Sequence, residues 1–346
     1  MIKKLSFFKK LGYALNLFVA FGLGLSFIAP HVPADSVPWF SMIAMLMPFW
    51  LIANIILFFY WLAQKSGLAL ISATLLGIGV FLMPPLFKFQ SAVLPIKEDL
   101  NVMSFNTRGF NRYEHLKKQD VDSLIIDFVS AEDADIICFQ EFYHAMKRSD
   151  ALEQYPYKYI DFVYGEDSGR VIQAIYSKYP ILKVELIEFP KSANAAVYAD
   201  IQMNKDTIRL YNVHLESFRI IPNISTVQKE KSTQLLSRIK RVFELQKAQT
   251  RLLKAHMESS PYPIVLAGDF NNTAYTNIYT GLKGNLQDTF LEAGSGFGRT
   301  YLLQKLPMRI DYILADENFE ITGHKNYDVE YSDHYPVMAS MKLKTQ

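Results

Sequence analysis

From Trp39 to Ala63 the chain carries no charged side chain. A run of this kind is long enough to cross the roughly 30 Å hydrocarbon core of a bilayer, which takes about 20 residues of helix. Two further apolar stretches flank it, at about 11–29 and about 67–87. Three such runs in succession are hard to cover with the remaining residues of one soluble domain. Residues 1–97 are therefore expected to form a membrane anchor of three transmembrane helices, at about 11–29, 39–63 and 67–87. Trp39, Trp50, Tyr60 and Trp61 suit interface anchors. Asn16 and Asn54 lie inside spans with no ionisable relay beside them, so each is expected to hydrogen-bond a neighbouring helix. Pro84-Pro85 is expected to end or kink the third helix.

Charge divides the chain at the same place. Residues 1–97 hold seven lysines, no arginine and one acid, Asp35, for a net +6, while the remainder holds 29 basic and 33 acidic residues, a net −4. Lys3, Lys4, Lys9 and Lys10 precede the first span, the loop 31–38 has only Asp35, and the turn 64–66 contains Lys65. By the positive-inside rule the N-terminus is cytoplasmic, and three crossings put the rest on the outer, periplasmic or extracellular, face of a cytoplasmic membrane. Reading the first stretch as a signal peptide, with a small-residue site near Ala34, leaves that orientation unchanged.

Residues 98–346 alternate short apolar runs with polar loops. Strands are expected at 101–106, 135–140, 171–177, 197–203, 207–214, 264–267, 309–315 and 337–341, and helices at 117–130 and 225–257. A strand-rich pattern with interspersed helices implies a layered α/β or α+β domain. The single cysteine, Cys138, excludes an internal disulfide and any cysteine-rich zinc site, and it is expected in the core. The −4 balance argues against bulk electrostatic capture of nucleic acid, without excluding nuclease chemistry. The basic residues of 225–257 are read as a solvated helix face rather than a phosphate patch.

Polar residues recur where these apolar runs stop. Asn106 ends SFN, Glu141 follows ICFQ, and His214 follows LYNV. Asp269 and Asn271 stand in GDFN, Asp311 in RIDYIL, and Asp333 and His334 in SDHYPV. Singly, each is an ordinary turn former, cap or surface residue. Together, at the ends of buried strands, they describe one shared site. Carboxylate and amide oxygens without thiolates suit Mg²⁺ or Mn²⁺, and the two imidazoles and extra aspartate remain for proton transfer and charge stabilisation.

In this order the motifs resemble the endonuclease/exonuclease/phosphatase superfamily, which includes pancreatic-type deoxyribonucleases, exonuclease III-like repair enzymes, neutral sphingomyelinases and inositol polyphosphate 5-phosphatases. The carriers are NVMSFNTRG at 101–109, DIICFQE at 135–141, AIYSKYP at 174–180, YNVHLES at 211–217, LAGDFNN at 266–272, RIDYILA at 309–315 and SDHYPV at 332–337. The resemblance implies a four-layer α/β/β/α sandwich of two mostly antiparallel sheets, with the site at one end. It implies that Glu141 binds the cation with Asn106 beside it and Asp333 as a further or second-metal ligand. Asp269 would orient and deprotonate the attacking water, and Asn271 would hold a phosphate oxygen. His334 would bond the phosphoryl group with Asp311 fixing its tautomer, and His214 would contact phosphate or protonate the leaving oxygen. Within the family, water activation falls either to Asp269 or to the His334–Asp311 pair.

The expected activity is divalent-metal-dependent hydrolysis of a phosphoester by in-line attack of water. The substrate is a nucleic acid, a phospholipid headgroup or a small phosphoester, and the lipid bilayer is a partner through the N-terminal helices. The alternative is a catalytically inert, membrane-tethered binding or scaffold protein, which the loss of a motif residue would favour; none is missing. Arg309, Tyr275 and Tyr301 are lesser candidates for the rim of the site. His31, His115, His144, His256 and His324 have no motif around them and are expected at the surface.

Overall fold

The computed structural model describes residues 7–32, 38–112, 114–143, 152–161, 171–218, 232–303 and 306–344. The chain divides into two compact units. One joins Met1–Leu86 to Asn272–Gly281, and the other joins Phe87–Asn271 to Leu282–Gln346.

The first unit is helical: α1 Phe7–Ile28, α2 Pro38–Met45, α3 Met47–Ala63 and α4 Leu68–Leu82. Leu23, Phe27, Met47, Met83 and Tyr275 form its core. Gly22 is needed at the crossing of α1 and α3, because a Cβ there would lie 2.8 Å from the Trp50 ring. Asn54 Nδ2 donates to Val19 O at 3.2 Å, and Ser72 Oγ donates to Asn16 Oδ1 at 3.3 Å. Both asparagines thus bond a neighbouring helix, as their setting implied.

The expectation of three membrane spans is corrected. Among the described residues one helix, Lys9–His31, is long and apolar enough to cross a membrane, with mean hydropathy 1.8. The run expected at 39–63 breaks at Leu46, because Pro48 enters the first turn of α3 and has no N–H to continue a preceding helix. The third run stops at Leu82, ahead of Pro84-Pro85. At 1.5 Å per residue, the 17 residues of α3 and 15 of α4 fall short of the ~30 Å core.

The second unit is a sandwich. One sheet holds β1 Leu100–Asn106, β2 Ile136–Gln140, β3 Tyr157–Ile160, β4 Ala174–Ser177, β13 Phe319–Asn326 and β14 Val337–Leu343, in the order β13-β14-β1-β2-β4-β3. The other holds β5 Ile181–Glu188, β6 Ala195–Met203, β7 Asp206–His214, β8 Ile264–Asp269, β9 Gln287–Asp288 and β12 Asp311–Ala315, in the order β5-β6-β7-β8-β12-β9. Each sheet is antiparallel except for one pair, β1 with β2 and β7 with β8. Between the sheets lie Val102, Ile136, Cys138 and Ile175 against Val197, Leu210, Val265 and Ile313.

Helix α5, Val121–Glu132, covers the first sheet with Val121, Ile125 and Val129 against Phe105 and Phe139. Helix α6, Ser232–Glu258, accompanies the second sheet: His256 Nδ1 lies 2.8 Å from Tyr211 Oη. Residues 225–231 of the expected helix lie outside the described residues. On the solvated face, Lys240 and Lys254 stand 3.8 Å from Glu244 and Glu258. The short helices α7, Asn277–Lys283, and α8, Thr289–Ala293, follow β8 and β9, and a hairpin of β10 Tyr301–Leu303 with β11 Leu306–Met308 precedes β12. The two parallel pairs are what position the site. They bring the C-terminal ends of β1, β2, β7 and β8 to the same end of the sandwich.

Candidate active site

Register fixes the site residues before any side chain is considered. His214 pairs with Asp269 across β7 and β8, and Asp311 pairs with Asp269 across β8 and β12. Asn106 pairs with Gln140 across β1 and β2, one residue before Glu141. Gly268 is required between them: it has φ +142°, and a Cβ there would lie 2.0 Å from Val213 O. Beneath this layer a buried amide pair ties the sheets together, Gln140 Nε2 donating to Asn212 Oδ1 at 2.7 Å. Asn212 Nδ2 in turn donates to Phe139 O at 2.9 Å and Ala174 O at 3.1 Å.

Asp269 is the hub. It is fully buried, and its Oδ2 accepts from Asn106 Nδ2 at 2.9 Å and from Asn271 Nδ2 at 3.2 Å, while Oδ1 accepts from Asn271 N at 2.7 Å. Asn106 Nδ2 also donates to Glu141 Oε1 at 3.1 Å, and Asn271 Nδ2 to Leu215 O at 3.0 Å. His334 Nδ1 lies 3.0 Å from Asp311 Oδ2, and its Nε2 lies 3.7 Å from Asp269 Oδ2. Thr300 Oγ1 accepts from the backbone N–H of Ile310 and Asp311, both at 3.0 Å, which holds the start of β12. Ser332 Oγ donates to Asn106 O at 2.9 Å and anchors the SDH turn to β1.

Burial would lower the pKa of His334, but the carboxylates of Asp311 and Asp269 outweigh it and raise it to about 10. Burial, with the charge of His334, lowers His214 to about 3 and keeps it neutral. Burial and Asp311 raise Asp269 to about 8 against the donors around it, a sign of negative charge not fully balanced.

The donor set fits a hard divalent cation. One oxygen each of Asp269 and Asp311 and a ring nitrogen of His334 lie within 4.8 Å of one another. Both ring nitrogens of His214 are buried with no hydrogen-bond partner among the described residues, and Nε2 lies 3.6 Å from Asp269 and 3.8 Å from Glu141. Glu141 is one-third exposed, and no thiolate is present, Cys138 being locked in the core.

All eight residues named from the sequence therefore lie at this end of the sandwich, with two qualifications of detail. Asn106 turns its amide nitrogen, not its oxygen, toward the carboxylates. Asp333 is ion-paired with Arg108.

Two residues at the rim, Arg108 and His115, had no role in the sequence reading, and Tyr301 was a lesser candidate there. Arg108 follows Asn106 in the motif NTRG and faces Asp333. The Tyr301 ring lies on His334, centroids 5.0 Å apart. His115 is only partly exposed, both ring nitrogens are buried, and burial followed by the nearby Arg108 lowers its pKa. The expectation of a surface position fails for His324, which is 3% exposed, while His115 and His256 are half-buried and His256 bonds Tyr211. His31 is exposed as expected, and His144 lies outside the described residues. Arg309 is not at the rim: it is ion-paired to Asp288 at 2.6 Å. Tyr275 is buried in the core of the helical unit.

The model of the endonuclease/exonuclease/phosphatase family matches residues 103–334, and that of a domain of unknown function matches residues 7–86. No protein of curated function matches the chain. Among solved structures, a humanized zebrafish (D. rerio) TDP2 superposes with TM-score 0.54 at 16% identity, covering 71% of this chain and 100% of that one. The human nocturnin catalytic domain gives TM-score 0.52 at 16% identity, covering 72% and 97%. A mannosyl-6-phosphatase from Bacteroides thetaiotaomicron gives 0.53 at 18% identity, covering 70% and 99%. At these identities the likeness is one of fold.

Proposed function

The chain belongs to the endonuclease/exonuclease/phosphatase family, and from that premise we propose that it is a Mg²⁺- or Mn²⁺-dependent phosphoester hydrolase held at a membrane by its N-terminal helices. The observation that carries the reading is the buried Asp269, bonded to Asn106 and Asn271 and flanked by His214 and His334, at one sandwich end.

The cation would be held by Glu141 and Asp269, with Asn106 and the free ring nitrogen of His214 beside them. When bound, it supplies charge neutralisation for the nonbridging phosphoryl oxygens and for the surplus of carboxylates. The chain's own groups do the rest. Asp269, kept in place by two donors from Asn271, takes the proton of the attacking water. His334, an imidazolium held by Asp311, donates to a phosphoryl oxygen as charge develops there. Asn271 spends its amide on Asp269 and Leu215 O, so its part is to aim the base. Neutral His214 offers a ring nitrogen to the phosphoryl group or the leaving oxygen.

Among the fold relatives, one is a mannosyl-6-phosphatase, a nocturnin structure holds a sulfate anion, and a zebrafish TDP2 structure holds a single-strand DNA product. Phosphoester hydrolysis is the common element, and the substrate of this chain is to be found by assay. A panel of DNA, RNA, sphingomyelin, lysophospholipid, inositol phosphates and sugar phosphates, run on the full chain with Mg²⁺ or Mn²⁺ and with EDTA, tests the proposal. Metal-dependent hydrolysis of any of these supports it. Silence across the panel favours the scaffold alternative.

For location, we propose a catalytic unit on the outer face. A single crossing by the helix Lys9–His31, with the lysines before it inside, leads to the same side as three would. Protease added to intact spheroplasts should digest the catalytic unit. Digestion only after lysis would reverse the orientation.

A further inference from the structure

The segment that follows the GDFN motif belongs to the helical unit rather than to the sandwich. The catalytic unit stops at Asn271 and resumes at Leu282, and Asn272–Gly281 joins the helices. Its contacts there are specific. Tyr275 is 7% exposed and packs in the bundle core with Leu23 and Phe27 of α1, Met47 of α3 and Met83. Ser41 Oγ of α2 donates to Asn277 Oδ1 at 2.9 Å, and Asn277 Nδ2 donates to Val32 O at 3.2 Å. The amide of Asn277 thus spends both its ends on residues 236 and 245 positions earlier. Thr280 Oγ1 donates to Pro30 O at 3.0 Å.

The turn between Asn271 and Asn277 has little slack. Asn271 is left-handed, with φ 49°, a conformation that a side chain other than glycine keeps only when its surroundings enforce it. Thr273 N donates to Asn272 Oδ1 at 3.0 Å. Thr276 N and Oγ1 both donate to Thr273 O, at 3.3 Å and 3.2 Å, and Thr280 N donates to Thr276 O at 3.1 Å. Asn272, Thr273 and Thr276 are all buried. A displacement of Tyr275 or Asn277 is therefore passed through a closed turn to Asn271. That residue supplies two donors to the catalytic carboxylate, its N–H to Asp269 Oδ1 at 2.7 Å and its amide to Oδ2 at 3.2 Å.

We propose that Tyr275 and Asn277 are positioning residues for the hydrolytic reaction: seated in the helical unit, they brace the turn that leaves Asn271 and so keep Asp269 aimed. The helices are then part of the catalyst as well as its anchor. The inference rests on the phosphoester-hydrolase reading and adds to it a dependence of turnover on contacts within the helical unit. A misaimed base costs transition-state stabilisation and leaves ground-state binding alone, so the effect falls on kcat rather than KM.

The test uses the full chain in detergent micelles, with Mn²⁺ and the panel compound that it hydrolyses fastest, and rates are taken per folded molecule by circular dichroism. Ser41→Ala removes one hydrogen bond within the helical unit. It should lower kcat about threefold to tenfold, the worth of one neutral bond, with KM within about twofold of wild type. Asn277→Ala loses two such bonds and should lower kcat further in the same way. In an Asp269→Asn background, Ser41→Ala should leave the residual rate unchanged, because no base remains to be aimed. Wild-type kcat in both single variants, or a change confined to KM, would overturn the proposal. So would an equal loss with and without Asp269→Asn, which would mark the contacts as holding the fold alone. Each of these outcomes leaves the hydrolase reading intact. A wild type that hydrolyses nothing in the panel would take both down.

Discussion

The two units present different exteriors. In the helical unit Asn16, Ser26, Asn54 and Ser72 are fully buried and hydrogen-bonded. Phe18, Phe21, Phe59, Leu70 and Phe81 point outward and are more than half exposed. Among the described residues, 20 of the 31 large exposed hydrophobics belong to the four helices and the turn between α2 and α3. The sandwich keeps most of its large hydrophobics inside, with Val, Ile, Leu and Ala filling the space between its sheets. An apolar exterior on that scale is costly in water and ordinary in lipid, where polar side chains between helices and small residues at crossings hold a bundle together. Gly22 under Trp50 and Asn54 across from Val19 are such features.

The largest effect that separates the units is catalytic. Asp269→Asn, isosteric in a fully buried position, should lower turnover on the order of 10²–10⁴-fold with circular dichroism and membrane association unchanged. Hydrolysis near the wild-type rate would remove Asp269 from the chemistry.

Next is a charge placed on each surface. Phe21→Arg on α1, where Phe21 is 66% exposed, should cost about 2.5–3.5 kcal/mol of insertion if that face meets lipid. Leu182→Arg on β5, 56% exposed, should stay within about 0.5 kcal/mol. The fraction of chain in a carbonate-washed membrane pellet reads the first, and thermal unfolding reads the second. Equal, negligible effects would mean that the helical unit has an ordinary aqueous surface and would dissolve the contrast.

A third effect belongs to the sandwich alone. His324 is buried with Nδ1 2.9 Å from Thr289 Oγ1, and burial lowers its pKa to about 4. The unfolded chain, with an ordinary histidine near 6.5, therefore binds the proton more readily. Stability from the neutral ring is complete above pH 6.5 and is lost as pH falls to 4, about 3 kcal/mol in all. Urea unfolding of His324→Gln should show a shallower acid slope than wild type between those limits, and identical slopes would contradict the assignment.

What was legible in the sequence follows from distance along the chain. Buried strands write themselves as short apolar runs, and the residue that ends each run is adjacent to it. Asn106, Glu141, His214, Asp269 and Asp311 were therefore readable as a set before their register was known. Strands β5 and β13 were not, because at the sheet edges ILKVELIE and FEITGHKN alternate with charge and resemble loops. His324 gave no sign of burial, since the Thr289 that receives it lies 35 residues away. Arg108 stood beside Asn106 in plain view, but its direction comes from a left-handed turn that no periodicity encodes. The break at Leu46 had its signal in Pro48, which the sequence reading did not use.

The smallest effect compares one residue type in both settings. Asn212 and Asn54 are each fully buried, and each donates to backbone carbonyls, Asn212 to Phe139 and Ala174 and Asn54 to Val19 and Trp50. In the sandwich the alternative to those bonds is water in the unfolded chain, and Asn212→Ala also strips the nearest of the three acceptors of Gln140 Nε2, a loss of about 1–3 kcal/mol in all. In a helix bundle surrounded by lipid, the separated helices find other partners for the same groups, so the measured worth of such a bond averages about 0.6 kcal/mol. Asn54→Ala should therefore cost less than Asn212→Ala when each is followed by unfolding of its own unit in bilayer-mimetic conditions. The inverse order, with the helical asparagine the more costly, would mean that water rather than lipid is the reference state of the helices.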